Sequence, residues 1–398
     1  MSSRARFFCY ILAKVRILLD YRPALHERTG VGEFVHELAR ALVRRGSDEV
    51  RLISTSWKHS PSSAAVAELA GARVVHRRVP VRALTWAWNR WGWPPVEWLA
   101  GPAEVVHSPS PLIVPSRHGA RVITIHDLDF LSHPEHVEAE MRRDFPRLAC
   151  AHAHRADQVI VVSHHVASEV ERRLGVSTVK ITVCSPGAPS WAADIVRDRK
   201  SRQPRTIVFI GTIEPRKNVG TLLDAYARLL QKRPDAPRLV LAGRIRPSAE
   251  RQLVLMKSEP LASHVTALGY VSDAQRRDLY RDAVMLVLVS LDEGFGLPVL
   301  EAMACGIPVV ISNRGSLPEI AGDAATPVDA TDAEAIADAM RRLLDPEVAA
   351  AAMARGIARA GRYSWDGCAS AARAAYQSAI ENRNRRAATP VTRAGEAF

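Results

Sequence analysis

Val284-Met-Leu-Val-Leu-Val289, the loop Ser290-Leu-Asp-Glu-Gly-Phe-Gly296 and the run Leu297-Pro-Val-Leu-Glu301-Ala-Met-Ala-Cys-Gly-Ile-Pro308 together decide the fold. The first is apolar and rich in valine, as strands buried on both faces of a sheet are. The loop therefore lies at the carboxyl end of a buried strand. Pro298 suits the first turn of a helix, where its missing N–H needs no partner. Gly306 and Pro308 end that helix one or two turns past Glu301. Free N–H groups at the helix start, beside Gly294 and Gly296, make a place for phosphate. Glu293 and Glu301 stand eight positions apart, one in the loop and one on the helix. Strand, glycine loop and carboxylate-bearing helix together indicate a nucleotide site.

Outward from this unit, strands and helices alternate in two passes. In the first, strands are expected at 15–19, 50–54, 72–75, 105–107, 122–125 and 158–162. Gly30-Val-Gly32 reads as a loop before an amphipathic helix over 33–45, and longer helices follow over 138–155 and after Ser163. The stretch 185–205, with its prolines and Arg197-Asp-Arg-Lys200, reads as an interdomain linker. The alternation restarts with a strand at 206–210, a helix at 219–231, a strand at 238–242 and a helix ending at Asp282. Such alternation gives parallel sheets covered on both faces. The expected fold is α/β, with two Rossmann-like doubly wound domains and a ligand cleft between them. Its divisions are 1–198, 199–362, a helix over 363–381, and a disordered, basic tail over 382–398.

Composition narrows the class. The 398 residues are 47% apolar and 24% charged, as in soluble globular proteins of two domains. Cys9, Cys150, Cys184, Cys305 and Cys368 have no metal-ligand spacing and read as reduced cytosolic thiols. The run 7–12 is far short of the ~20 residues of a membrane span. It lacks a cleavage site, so a short extension or misplaced start is expected rather than an export signal. Net charge is +12, and residues 1–200 carry 28 Lys and Arg against 20 Asp and Glu. That excess suits a phospholipid surface or a pyrophosphate-linked substrate, or is the background of an arginine-rich composition. Basic stripes interleaved with stacking aromatics are missing, so nucleic acid is not an expected partner.

The second pass opens on Phe209-Ile-Gly-Thr-Ile-Glu-Pro-Arg-Lys-Asn218, where a strand ends and two cations precede a helix. Adjacent Arg216 and Lys217 suit a diphosphate, or are a solvated pair at a helix start. With Gly211–Asn218, the Glu293–Pro298 loop, the Glu-x7-Glu pair, Gly30-Val-Gly32, His107-Ser-Pro109, Ile125-His-Asp127 and Tyr363-Ser-Trp365, the chain resembles the retaining glycosyltransferases of the GT-B group called family 4. The resemblance covers nearly all of 15–380, and its motifs are specific jointly rather than singly.

The resemblance implies a donor nucleotide sugar held by Gly211, Thr212, Arg216, Lys217, Gly294, Phe295, Gly296 and Leu297. Glu301 would hold the ribose, and Glu293 the transferred hexose. Gly30 and Gly32 would approach phosphate or acceptor. His126 would contact the sugar, and Asp127 would orient it or take the acceptor proton. Ser163 would cap the following helix, with Glu169 and Glu171 in its first turns, or meet phosphate or acceptor. The family needs neither metal nor cofactor. The 211–218 variant looks most like mannosyl- and rhamnosyltransferases of O-antigen assembly, which favours a GDP-sugar and a lipid-linked oligosaccharide acceptor. A UDP- or dTDP-sugar enzyme of the same fold, or a sugar-nucleotide epimerase, is the alternative.

Trp86, Trp88, Trp91, Trp93 and Trp98 sit beside Arg82 and Arg90. Positions 84, 88 and 91 share one helical face and read as packing. Trp86 and Trp93 lie off it and suit a membrane interface or lipid carrier; lining the acceptor cleft is the alternative.

Overall fold

The computed structural model describes residues 14–25, 28, 30–132, 144–199, 204–325 and 327–388. These form two compact units. The first takes the chain up to Val162, Val166–Cys184 and the segment from Trp365; the second takes Ser163–His165 and Ser185–Ser364.

The first unit is built on seven strands: β1 (Arg16–Asp20), β2 (Glu49–Thr55), β3 (Arg73–Arg77), β4 (Val105–Ser108), β5 (Ala120–Ile125), β6 (Gln158–Val161) and β7 (Ile181–Val183). Every pairing is parallel, in the order β3-β2-β1-β4-β5-β6-β7. The second unit carries β8 (Thr206–Ile210), β9 (Arg238–Ala242), β10 (Val265–Gly269), β11 (Ala283–Leu288), β12 (Val309–Ser312) and β13 (Pro327–Val328). Its order is β10-β9-β8-β11-β12-β13, again parallel throughout. Apolar strands such as Ile17–Leu19 and Met285–Leu288 are buried because helices cover both faces. In each sheet the winding reverses at one point, between β1 and β4 and between β8 and β11. At such a point the loops leaving two adjacent strands diverge and open a crevice at their carboxyl ends.

Several expectations are corrected. Gly30–Gly32 is not a loop but the first turn of the helix Gly30–Arg45. A side chain on Gly32 would stand 2.7 Å from the Pro23 carbonyl oxygen, so glycine lets this helix start against the preceding turn. The stretch 185–205 is not a bare linker: it contains the helix Ala192–Arg199, with Ala192 and Ile195 buried. Of the helix over 138–155, Phe145–Arg155 is helical, while 138–143 lies outside the described residues. The final helix runs Trp365–Ala388 in the first unit, so 382–388 is ordered helix. Buried Asp157 holds its end: Arg386 lies 3.3 Å and Arg383 3.7 Å from the carboxylate, and Asn382 donates to the Asp157 carbonyl. Residues 389–398 lie outside the described residues, as do 1–13 with Cys9. Cys150, Cys184, Cys305 and Cys368 are free thiols.

Candidate active site

In the second unit, parallel pairing of β8 with β11 brings the loops after both strands together. The turn Pro215–Lys217 lies beside the Ser290–Gly296 loop, and Leu291 N–H donates to the Arg216 carbonyl (2.8 Å). Asn218 fixes this turn. Its backbone is left-handed (φ 55°), its Nδ2 donates to the carbonyls of Val289 (3.1 Å) and Ala330 (2.6 Å), and its Oδ1 accepts from Thr221. Asparagine tolerates this conformation better than most side chains.

Lys217 Nζ donates to Glu293 Oε2, which also accepts from Ser290 Oγ (3.2 Å). The Lys217 and Glu293 side chains are only 11% and 12% exposed. Burial alone would raise the Glu293 carboxyl pKa, but Lys217, Arg216 and the Ser290 hydrogen bond outweigh it and hold the group below the ordinary carboxylate range. Arg216 reaches the Asp292 carbonyl (3.3 Å) and the Glu214 carboxylate (3.3 Å). The cations of one loop thus face the carboxylates of the next, and they hold Glu293 in its charged form.

The Glu293 loop is shaped from outside itself. Ser316 N–H donates to the Glu293 carbonyl (2.9 Å). Gly315 (φ 59°) lies so close that a side chain there would stand 2.6 Å from Glu293 N and O. Asp292 faces His165 across 3.6 Å; burial would raise its pKa, and His165, the Glu293 N–H and Arg216 bring it below the usual range. Ser163 Oγ donates to the Gly294 carbonyl (2.7 Å), and it is the Glu319 carboxylate that takes the N–H groups of His164 and His165 (2.9 Å each). The Ser163 hydroxyl proton goes to Gly294, and its oxygen keeps the acceptor capacity a cap requires. Glu169 pairs with Arg172 and Arg173, a turn beyond the helix start. Phe295 is buried edge-on to Tyr363, 5.9 Å between centroids.

Glu301 sits on the helix Leu297–Ala304, 3% exposed, so it is no surface carboxylate. Arg276 Nη1 donates to Oε1 (2.8 Å) and Tyr280 OH to Oε2 (2.7 Å). Tyr280 stacks on Trp191 at 5.8 Å, and the Arg276 guanidinium lies over the same indole at 5.7 Å. Burial, with Glu301 next to it, keeps the Tyr280 phenol well above its ordinary pKa, a donor at every working pH.

In the first unit, Gly32 abuts Pro23 and His126 follows β5. Burial lowers the His126 pKa to about 4, against a hydrogen bond to the Pro109 backbone. Proline offers only a carbonyl there, so one ring nitrogen is an N–H donor. Nε2 is buried without a partner among the described residues, and the ring meets Phe34 edge-on at 5.0 Å. A neutral imidazole with Nε2 as acceptor is suited to a hydroxyl donor. Asp127 Oδ1 accepts the Asp129 N–H (3.2 Å), as a turn cap does.

Both site carboxylates and both cations lie in motifs legible in the sequence, whereas the roles of Asn218, His165, Gly315, Glu319, Arg276 and Tyr280 appear only in the fold. Asn218 stood in the quoted motif at a helix start, and Gly315 followed an apolar run; the others are long-range partners that local pattern does not mark.

Residues 28–190 match the family model described as Glycosyltransferase Family 4, and residues 193–360 match Glycosyl transferases group 1. The chain is 33% identical over 283 residues to O-antigen chain mannosyltransferase B of Escherichia coli, covering 69% of this chain and 74% of that protein. It is 30% identical over 257 residues to the serotype-specific mannosyltransferase WbdA of Escherichia coli, covering 61% of this chain but 32% of that longer protein. Sucrose-phosphate synthase from Thermosynechococcus elongatus shares the fold, with TM-score 0.67 at 22% identity over 94% of this chain and 99% of that one. The chain is a glycosyltransferase of GT-B fold and belongs to family 4, the group 1 glycosyl transferases.

Proposed function

We propose that this enzyme transfers a hexose with retention from a nucleotide sugar to a lipid-linked saccharide of bacterial surface polysaccharide, working on the cytoplasmic face of the inner membrane. Mannose from GDP-mannose is the favoured donor, since the relatives at 33% and 30% identity are mannosyltransferases. The observation that carries the reading is the buried Lys217–Glu293 pair at the reversal point of the second sheet. Charge on a leaving diphosphate is taken up by Arg216 and Lys217 with the backbone of Gly294, Phe295 and Gly296. Donors fixed in advance at such a position contribute about 3–4 kcal/mol each to the rate. Gly211, Thr212 and Leu297 border the same anion. As the diphosphate draws Lys217, the Glu293 carboxylate is released to accept hydroxyls of the transferred sugar. Glu301 accepts the ribose hydroxyls alongside Arg276, which already bonds one of its oxygens.

In the first unit, the exposed helix start at Gly30 admits the acceptor close to the backbone, while Gly32, packed on Pro23, sets the position of that helix. His126 Nε2 accepts a sugar hydroxyl, and Asp127 orients it or receives the acceptor proton. The acceptor oxygen attacks on the face the phosphate leaves, with no metal and no cofactor; activity that requires manganese and is abolished by EDTA would contradict this.

Thermal shift with GDP-, UDP- and dTDP-sugars tests the donor, and GDP-mannose is expected to raise Tm most. A preference for a UDP-sugar would replace the mannosyl reading by the uridine alternative. Conversion of a nucleotide sugar without any acceptor would instead support an epimerase.

A further inference from the structure

Four of the five clustered tryptophans are exposed. Trp86, Trp91, Trp93 and Trp98 keep 57%, 62%, 53% and 61% of their surface in solvent. Only Trp88 is buried, with Leu84, Val96 and Ala100 in one core. The shared face expected for 84, 88 and 91 therefore fails at Trp91: Gly92 ends the helix Val81–Trp91, and the last side chain turns outward. The exposed rings form two edge-to-face pairs, Trp86 with Trp91 at 4.5 Å and Trp93 with Trp98 at 5.6 Å. Each pair holds its rings in place, so little side-chain freedom remains to be lost on contact.

The segment is anchored to the sheet. Trp88 Nε1 donates to the Pro94 carbonyl (2.9 Å), and Arg22 lies over the Trp88 ring at 4.8 Å while reaching Thr85 (3.3 Å). Arg22 is itself clamped to Asp20, at the end of β1, through Nε (2.8 Å) and Nη2 (2.6 Å). The exposed indoles are thus tied to the turn that precedes Gly32.

Charge identifies what covers them. Residues 73–100 contain Arg73, Arg77, Arg78, Arg82 and Arg90, all exposed, against Glu97 alone. The Glu97 carboxylate already accepts the Ser116 hydroxyl (2.6 Å) and the N–H groups of Arg117 and His118. Indoles in such number beside arginines match the headgroup region of a bilayer, where the ring is buried and the N–H stays wet, and anionic lipids attract the guanidinium groups. Among the described residues no helix is long and apolar enough to cross a membrane.

We infer that the face carrying Trp86, Trp91, Trp93 and Trp98 is a docking surface for an anionic phospholipid bilayer. It deepens the lipid-linked acceptor reading, on which its purpose rests, but the binding itself is tested with vesicles that contain no acceptor.

The full chain is sedimented with vesicles of phosphatidylcholine containing 30% phosphatidylglycerol, and with phosphatidylcholine alone. Binding is expected on the anionic vesicles, with quenching of tryptophan emission by brominated acyl chains. The variant W86A/W91A/W93A/W98A is expected to bind at least about tenfold more weakly, since removing four indoles removes most of the insertable area. Arg82→Glu with Arg90→Glu is expected to abolish the preference for anionic over neutral lipid while brominated-lipid quenching of the bound fraction persists. Unfolding midpoints of the variants near the parent's show that fold is retained. Equal vesicle binding by parent and tryptophan variant, or none by the parent, overturns the inference. So does a parent dimer in light scattering that the tryptophan changes convert to monomer, because the face would then cover a second copy. Vesicle binding together with transfer only to free saccharides would sustain this surface and remove the lipid-linked acceptor.

Discussion

Lys217→Met strands the Glu293 carboxylate. Removing one partner of a buried ion pair costs about 3–5 kcal/mol, mostly because the other charge is left uncompensated. Here both side chains are nearly sealed from solvent, at 11% and 12% exposure, so screening reduces little. The Ser290 hydrogen bond and the charge of Arg216 remain and offset part of the loss. A destabilisation of about 2–4 kcal/mol is therefore expected. Adding Glu293→Gln removes the stranded charge and is expected to restore about 1–3 kcal/mol, a non-additivity that a double-mutant cycle in guanidinium chloride measures at pH 7.5. The pH dependence gives a second readout. Glu293 has a folded pKa below its ordinary 4.5, so its stabilisation is complete above pH 4.5 and is lost as pH falls through the folded value. Lys217→Met should flatten that acid limb. A Lys217→Met variant within about 1 kcal/mol of the parent, or a strictly additive double variant, would refute the pair as a buried, coupled unit.

Gly315→Ala places a carbon 2.6 Å from the Glu293 backbone at φ 59°, and is expected to lower stability by about 2 kcal/mol or more while reducing donor affinity; a thermal melt and donor titration matching the parent's would refute the clamp. His107 is fully buried between Tyr376 and Thr124, and burial, with His126 nearby, lowers its pKa to about 3 from 6.5. The folded state resists protonation that the unfolded chain accepts below 6.5, so stability is complete above that pH and falls by about 2 kcal/mol between pH 7.5 and 5.0. His107→Gln should remove that part of the slope in denaturant unfolding at the two pH values, and an unchanged slope would refute the assignment.

Local pattern carried the fold because doubly wound sheets are local in construction. Valine-rich runs ending at Val106, Ile125, Ile210 and Leu288 are strands by composition alone, and the breaks at Gly46 and Gly306 end helices by backbone chemistry. What failed is set by contact. Whether Gly30–Gly32 is loop or helix depends on the approach of Pro23, and the helix Ala192–Arg199 exists because Ala192 and Ile195 find a surface to bury against. At the site, the quoted motifs supplied Glu293, Glu301, Arg216 and Lys217. Their partners come from far away: Tyr280 is 21 residues from Glu301, and Ser163 is 131 from Gly294. Period and spacing cannot encode such distances.

The two sheets share a winding order yet place different chemistry on the loops at their carboxyl ends. Between β8 and β11 the loops bring Lys217 and Arg216 against the buried Glu293, whose carboxyl they hold below its ordinary range, a setting that answers to charge. At the carboxyl end of β5 the first unit offers a histidine kept neutral by burial, with one nitrogen on the Pro109 carbonyl and the other without a partner among the described residues. A neutral acceptor answers to a hydroxyl and is indifferent to a diphosphate, which would draw a cation instead. The division follows from desolvation. Where fixed cations surround a buried carboxylate, burial leaves it charged; where none does, as at His126, burial discharges the side chain. On the proposed transfer, the unit with the cation cluster suits an anionic group and the unit with the uncharged ring a hydroxyl. The topology fixes where each loop lies, and the local charge balance fixes which species that loop accepts.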